Sequence, residues 1–190
     1  MDKVDKYKYM NIPPKFWDVK IGQIQDAGIQ KSFVERYLTK EQILDTNRGV
    51  LLWGDHGRGK TAIASLILRF ASGHGIFGHW IDHDTLINTM WYDKKAQFTP
   101  EQTLVDRIET CPILVIDEFD LVIKKDRMSD TTLEKLIRRR SFDQKKTIIT
   151  TNLDTSIFSR DMKGLWSLCH EEMHIINVQG EDLRCKKTNN

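Results

Sequence analysis

The sequence predicts a three-layer α/β sandwich built on a five-stranded, mostly parallel sheet, and three observations predict it. Short apolar runs alternate with helix-spaced segments along most of the chain, the pattern of strands joined by crossover helices that cover both faces. The octapeptide Gly54-Asp55-His56-Gly57-Arg58-Gly59-Lys60-Thr61 fits G-x-x-x-x-G-K-[ST] at every fixed position. It stands between an apolar run and a helical one, as a phosphate loop must. A later apolar run, Ile113-Leu114-Val115-Ile116, ends in the acid pair Asp117-Glu118, and open α/β sheets bind ligands beyond the C-terminal ends of their strands.

The elements follow in order. Residues 1–27 are polar and turn-rich, and Pro13-Pro14 exclude a helix interior around Ile12 to Trp17. They read as an N-terminal arm, a candidate for partner binding, ahead of one domain over residues 28–190. From about Gly28 to Asn47 apolar residues recur at helical spacing. Gly49-Val50-Leu51-Leu52-Trp53 is the first strand, and Thr61 to Phe70 is the helix after the loop. Gly73-His74-Gly75 breaks it, and Ile76 to Ile81 is the second strand. Thr85 to Tyr92 and Pro100 to Glu109 read as helices, Pro112 to Asp117 as the third strand. Ser129 to Arg140 is helical with Ser129 or Asp130 as N-cap. Lys146 to Asn152 is the fourth strand, residues 154–170 are helical, and Met173 to Val178 is the fifth strand.

Bulk numbers bound the class. The chain has 190 residues, 39% apolar and 29% charged, which suits one soluble domain with a sizeable core. A net charge of +2 does not by itself call for nucleic acid, so any such surface must be a local patch. Cys111, Cys169 and Cys185 are odd in number and lack C-x-x-C spacing, against a disulfide framework or a zinc site. The charged N-terminus lacks a signal-peptide core, and no apolar run reaches membrane-spanning length. The expectation is a cytoplasmic protein with no membrane partner.

Each residue type in the motifs has chemistry to perform. Gly54, Gly57 and Gly59 let the backbone bend so that N–H groups, with Asp55, His56 and Arg58 between them, face an anion. The N-terminus of the helix through Thr61 and Ala62 adds partial positive charge. Lys60 would bridge the β- and γ-phosphates of a nucleotide, and Thr61 and Asp117 would hold Mg²⁺. Glu118 is placed to polarise an attacking water, and Asn152, at the end of strand four, to orient that water or touch the γ-phosphate. Thr151-Asn152-Leu153-Asp154 lacks the lysine of a guanine-reading Asn-Lys-x-Asp, and a small-molecule kinase would carry an arginine-rich lid and no acid pair after strand three.

On these residues the chain resembles the AAA+ ATPases, and among them the bacterial replicative-helicase loaders of the DnaC/DnaI group and the IstB transposition ATPases. The resemblance covers roughly residues 45–185. It rests on residues 54–61, Ile116-Asp117-Glu118-Phe119-Asp120, Leu136-Ile137-Arg138-Arg139-Arg140-Ser141, Lys146 to Leu153, and Gly180-Glu181-Asp182-Leu183-Arg184. It implies a P-loop NTPase fold of AAA+ type with a minimal or absent lid domain, and an ATP-dependent switch that helps place a hexameric replicative helicase on single-stranded DNA. Nucleotide-dependent self-association belongs to the same expectation. Arg184 would then be a sensor arginine reaching the γ-phosphate; otherwise it is a solvated charge.

Two departures stand out. The region Asp161 to His170 has no arginine where such proteins carry a finger for the neighbouring subunit's ATP, leaving Arg160, Lys163 or Arg138-Arg139-Arg140 as substitutes. Cellular loaders also carry an N-terminal helicase-binding domain, for which residues 1–30 are too short. The chain is then a piece of a longer protein, a phage or mobile-element version, or one whose arm does the binding. Basic clusters at Lys124-Lys125-Asp126-Arg127, Arg138–Arg140 and Lys145-Lys146, and Trp91, Tyr92 and Phe98 near Lys94-Lys95, are candidates for single-stranded DNA, although Trp91 serves equally well as a core residue. An IstB-like transposition helper, or a nucleotide-gated adaptor with little turnover, are the alternative functions.

Overall fold

Five strands supply the frame of the protein in a computed structural model that describes residues 1–23, 35, 39, 41, 48–92, 104–119 and 127–180. They are β1 (Gly49–Trp53), β2 (His79–Asp82), β3 (Ile113–Phe119), β4 (Lys146–Thr151) and β5 (Met173–Asn177). The spatial order is β2-β3-β4-β1-β5, and every pairing is parallel. β1 therefore lies inside the sheet, with Val50 opposite Ile148 of β4 and His174 of β5.

Period-two alternation explains the layers. Val50, Leu52, Val115 and Ile148 point into one core, while Leu51, Leu114, Ile116 and Ile149 point into the other. Both faces are buried, which is why these strands read as unbroken apolar runs rather than alternating ones. The first core is closed by the helix after the loop, α2 (Lys60–Gly73), which contributes Ile63, Ile67 and Leu68. The second is closed by α3 (His83–Tyr92), α4 (Leu104–Thr110), α5 (Arg127–Phe142), α6 (Thr155–Asp161) and α7 (Lys163–Glu172), through residues such as Leu86, Ile108, Leu136, Phe158 and Leu168.

The N-terminal segment departs from expectation. A helix, α1 (Lys3–Tyr9), begins the chain, capped by Asp2, whose carboxylate accepts the Asp5 N–H at 2.8 Å. Tyr7, Met10 and Ile12 are buried in the first core. The Met10 carbonyl accepts the Trp80 N–H at 2.9 Å, and Asn11 donates to the Trp80 carbonyl. Arg69 of α2 holds the following turns, donating to the carbonyls of Phe16 at 2.9 Å and Val19 at 2.7 Å. Seven residues carrying four charges are too few for a periodic signal, so the helix was not legible.

Smaller differences have local causes. β2 starts at His79 rather than Ile76, because the Ile76 N–H is still bonded to Ala71 at the end of α2. α5 starts at Arg127, so Ser129 and Asp130 lie within it and neither is the N-cap. The helical stretch after β4 is two helices, parted at Met162 with φ −130°. The helix expected over 28–47 and the polar segment 93–97 lie outside the described residues, save for 35, 39 and 41.

Candidate functional site

The phosphate-loop segment lies between the C-terminal end of β1 and the start of α2. Gly54, Gly57 and Gly59 have φ of 136°, 76° and 91°, values open to glycine and costly for other residues. At Gly54 a side chain is excluded twice over, since a Cβ would lie 2.5 Å from the Val178 carbonyl oxygen. Gly59 is the N-cap of α2 and offers no side-chain cap, so the first-turn N–H groups face the loop, the arrangement that receives an anion. Lys60 is buried, and its Nζ donates to the carbonyls of Gly54 and Asp55, each at 2.7 Å. An ammonium folded into the loop on two backbone oxygens is placed to meet phosphate oxygens there. Asp55 and His56 are exposed; Gly57, Arg58, Gly59, Thr61 and Ala62 are half-buried. Arg58 donates to the Gly180 carbonyl and to Asp55. A cavity of about 340 Å³ opens beside the loop, lined by Trp53, Gly54, Arg58, Asn177 and Gly180 among others.

The acid pair comes to the same end of the sheet, at the C-terminal end of β3. Thr61 Oγ1 donates to Asp117 Oδ1 at 3.0 Å, so one hydroxyl of the loop already touches the carboxylate. Burial pushes the Asp117 carboxyl above its ordinary range; donation from Thr150 and Thr61 pulls it back, and the charge of Glu118 pushes it up again. A buried carboxylate with hydroxyl donors and, among the described residues, no cationic partner suits a hard divalent cation, for which oxygen donors are the right set. The residues present therefore fit a Mg²⁺–nucleotide: Thr61 and Asp117 would hold the cation, Lys60 and the loop N–H groups the phosphates. Glu118 is exposed at the end of the strand, with φ 56°, and is free to face solvent.

One residue that sequence reasoning missed completes the site. Thr150 of β4 is 1% exposed and donates to Asp117 Oδ1 at 2.6 Å. Asn152 lies two residues further on, half-buried just beyond the end of β4, past the point where Thr151 pairs with Phe119. A hydroxyl closing the apolar run Thr147-Ile148-Ile149-Thr150 was the available signal. Arg184 lies outside the described residues, as do Lys124, Lys125 and Phe98.

The basic run of α5 is not a uniform charged face. Arg138 pairs with Glu134 at 3.0 Å and Arg139 with Glu109 at 3.0 Å. Arg140 is fully buried, donating to Thr147 Oγ1 and to the carbonyls of Ile108, Cys111 and Lys146. It caps the C-terminal end of α4, so it is available neither as a finger nor to DNA. Arg160 pairs with Asp161 at 2.8 Å, and Lys145 with Asp143 at 2.9 Å. A larger cavity of about 520 Å³, lined by Tyr9, Phe77, Arg107, Cys111 and Lys146 among others, sits at the opposite end of the sheet from the loop. Cys111 and Cys169 are buried and free.

A parallel sheet with a phosphate loop after β1 and an acid pair at the C-terminal end of β3 defines a nucleotide-binding domain of the phosphate-loop class. The sequence model of the ATPase family associated with various cellular activities (AAA) matches residues 50–175, and the chain belongs to that family of ATPases. None of the curated proteins compared with it matches. Among solved structures, the DnaC helicase loader is similar with a TM-score of 0.71 at 18% identity, over 88% of this chain and 100% of that one. DnaI gives 0.69 at 16% identity, over 90% and 96%. The replication initiator DnaA bound to AMPPCP and single-stranded DNA gives 0.68 at 14% identity, over 92% of this chain and 53% of that one. At these identities the likeness is one of fold. No helix among the described residues is long and apolar enough to cross a membrane.

Proposed function

We propose that this AAA ATPase binds and hydrolyses ATP with Mg²⁺ and acts as a loader-like factor, helping to place a hexameric replicative helicase on single-stranded DNA. The observation that carries the reading is the end-to-end likeness to the DnaC helicase loader, which the fold matches over its whole length. The likeness to DnaA in a structure with AMPPCP and single-stranded DNA supports the nucleotide and the strand. In this reading Lys60 and the loop N–H groups bind the phosphates, and Glu118 takes the proton of the attacking water. Mg²⁺, when bound, spreads the charge that develops on the phosphate oxygens.

A second reading, the nucleotide-gated adaptor with little turnover, is favoured by the arginines. Those proposed to replace the missing finger are engaged, Arg138, Arg139 and Arg160 in ion pairs and Arg140 in the interior, and a finger is worth ~10³–10⁵ in rate. Steady-state hydrolysis with and without single-stranded DNA, beside Glu118→Gln, separates the two. DNA-stimulated turnover that the variant loses supports the loader; tight binding with negligible turnover supports the adaptor. Failure to bind ATP at all overturns both.

A further inference from the structure

β3 gains a residue on its neighbour where the acid pair sits. Ile116 stands opposite Ile149 and Phe119 opposite Thr151, so β3 advances three residues while β4 advances two. The extra residue is taken up at Asp117-Glu118, where Glu118 adopts φ 56°. A bulge of this kind bends the strand and re-aims its side chains, and bulges concentrate next to active sites. Left-handed backbone is uncommon for a glutamate, so a neighbour must hold it. That neighbour is Thr150. Its hydroxyl oxygen accepts the Glu118 N–H at 3.0 Å while its proton goes to Asp117 Oδ1 at 2.6 Å. A hydroxyl has a single proton to give, so the two bonds together fix its orientation, and at 1% exposure water does not compete for it.

We propose that Thr150 is a positioning residue for hydrolysis: one hydroxyl fixes the Asp117 carboxylate and locks the bulge that turns Glu118 outward. The inference rests on the ATP-hydrolysing reading above. Two hydroxyls converge on Asp117 Oδ1, that of Thr61 from the phosphate loop and that of Thr150 from β4. The loop hydroxyl is the one a cation would engage, which leaves the strand hydroxyl to hold the carboxylate in register. Partners of this outer kind typically tune metal affinity or activity by about 10–100-fold.

The test uses the full chain with Thr150→Val, which keeps the shape and removes the hydroxyl, and Thr150→Ser, which restores it. In protein free of nucleotide and metal, amide hydrogen exchange at Glu118 should be about tenfold faster in Thr150→Val, the equivalent of one lost buried hydrogen bond, and near wild type in Thr150→Ser. With ATP and Mg²⁺, kcat should fall about 10–100-fold in Thr150→Val with ATP affinity held. Thr150→Ser should recover most of the rate. Wild-type exchange at Glu118 in Thr150→Val overturns the lock, and wild-type turnover overturns the positioning role. A Thr150→Ser that fails to rescue assigns the loss to packing and overturns the proposal as well. If the wild-type chain does not hydrolyse ATP, the functional reading falls, and the exchange measurement still decides whether Thr150 holds Glu118.

Discussion

Replacing Arg140 with alanine should cost this protein a large part of its stability, although the residue lies at the end of the sheet away from the phosphate loop. The guanidinium is fully buried and donates at 3.0 Å or less to four acceptors, Thr147 Oγ1 at 3.0 Å and the carbonyls of Ile108 at 2.7 Å, Cys111 at 3.0 Å and Lys146 at 2.6 Å, with longer contacts to the Glu109 carbonyl and Cys111 Sγ. Burial pushes its pKa below the ordinary value, so the charge is held at a cost that these bonds offset. Each bond to a charged group is worth about 1.5–3 kcal/mol net, and each orphaned buried acceptor costs about 1–3 kcal/mol. Recovery of the desolvation penalty cancels part of that sum. The net loss should be about 3–5 kcal/mol, as when a buried polar pair loses one member, against a total of about 5–15 kcal/mol for a whole domain. For a chain of this size the melting temperature should fall by roughly 6–20 °C. Urea unfolding of Arg140→Ala is the assay, with Arg138→Ala and Arg139→Ala as controls whose exposed pairs should be worth under about 1 kcal/mol. Arg140→Lys should fall between, since an ammonium cannot reach all four acceptors in their fork geometry. An Arg140→Ala midpoint equal to that of Arg139→Ala would refute the reasoning.

Other predictions concern the site and its pH response. Lys60→Ala should abolish ATP binding in a fluorescence titration, and unchanged affinity would sink the phosphate-loop assignment. Glu118→Gln should bind ATP like the wild type and lose turnover; normal hydrolysis would move the general base elsewhere. Asp117→Asn should raise the melting temperature of the nucleotide-free protein near neutral pH. The Asp117 carboxyl is raised above 3.8 in the fold, so the folded state binds more protons than the unfolded and loses stability as pH climbs through that range; a gain that shrinks with rising pH would contradict this. His79 runs the other way, its pKa lowered to about 4 by burial and then by Arg107, with no hydrogen-bond partner for Nδ1 among the described residues. Its contribution is present above pH 6.5 and lost as pH falls from 6.5 toward 4, so His79→Phe should flatten the urea midpoint between pH 7 and pH 5.

How much of this was legible in the sequence depended on whether the signal was local. The octapeptide 54–61 and the run into Asp117-Glu118 are contiguous, and each sits where its strand and helix demand, so their meeting through Thr61 and Asp117 followed from topology alone. Thr150 did not follow, because its role depends on a register shift between two strands that no single segment encodes. Arg140 misled for a related reason: three consecutive arginines at a helix end look alike until the 100° step between neighbours turns one of them inward. α1 was hidden by its shortness and by lysines that cover the surface while Tyr7 and Met10 are buried.

The fastening of the N-terminal segment to α2 has a mechanical consequence. Lys60 and Thr61 open that helix, and Arg69, about two and a half turns along it, grips the backbone at Phe16 and Val19. Fourteen residues of helix make a strut about 20 Å long, with phosphate chemistry mounted at one end and the first twenty residues clamped toward the other. Among the described residues, one helix thus joins the N-terminal turns directly to the phosphate-loop segment.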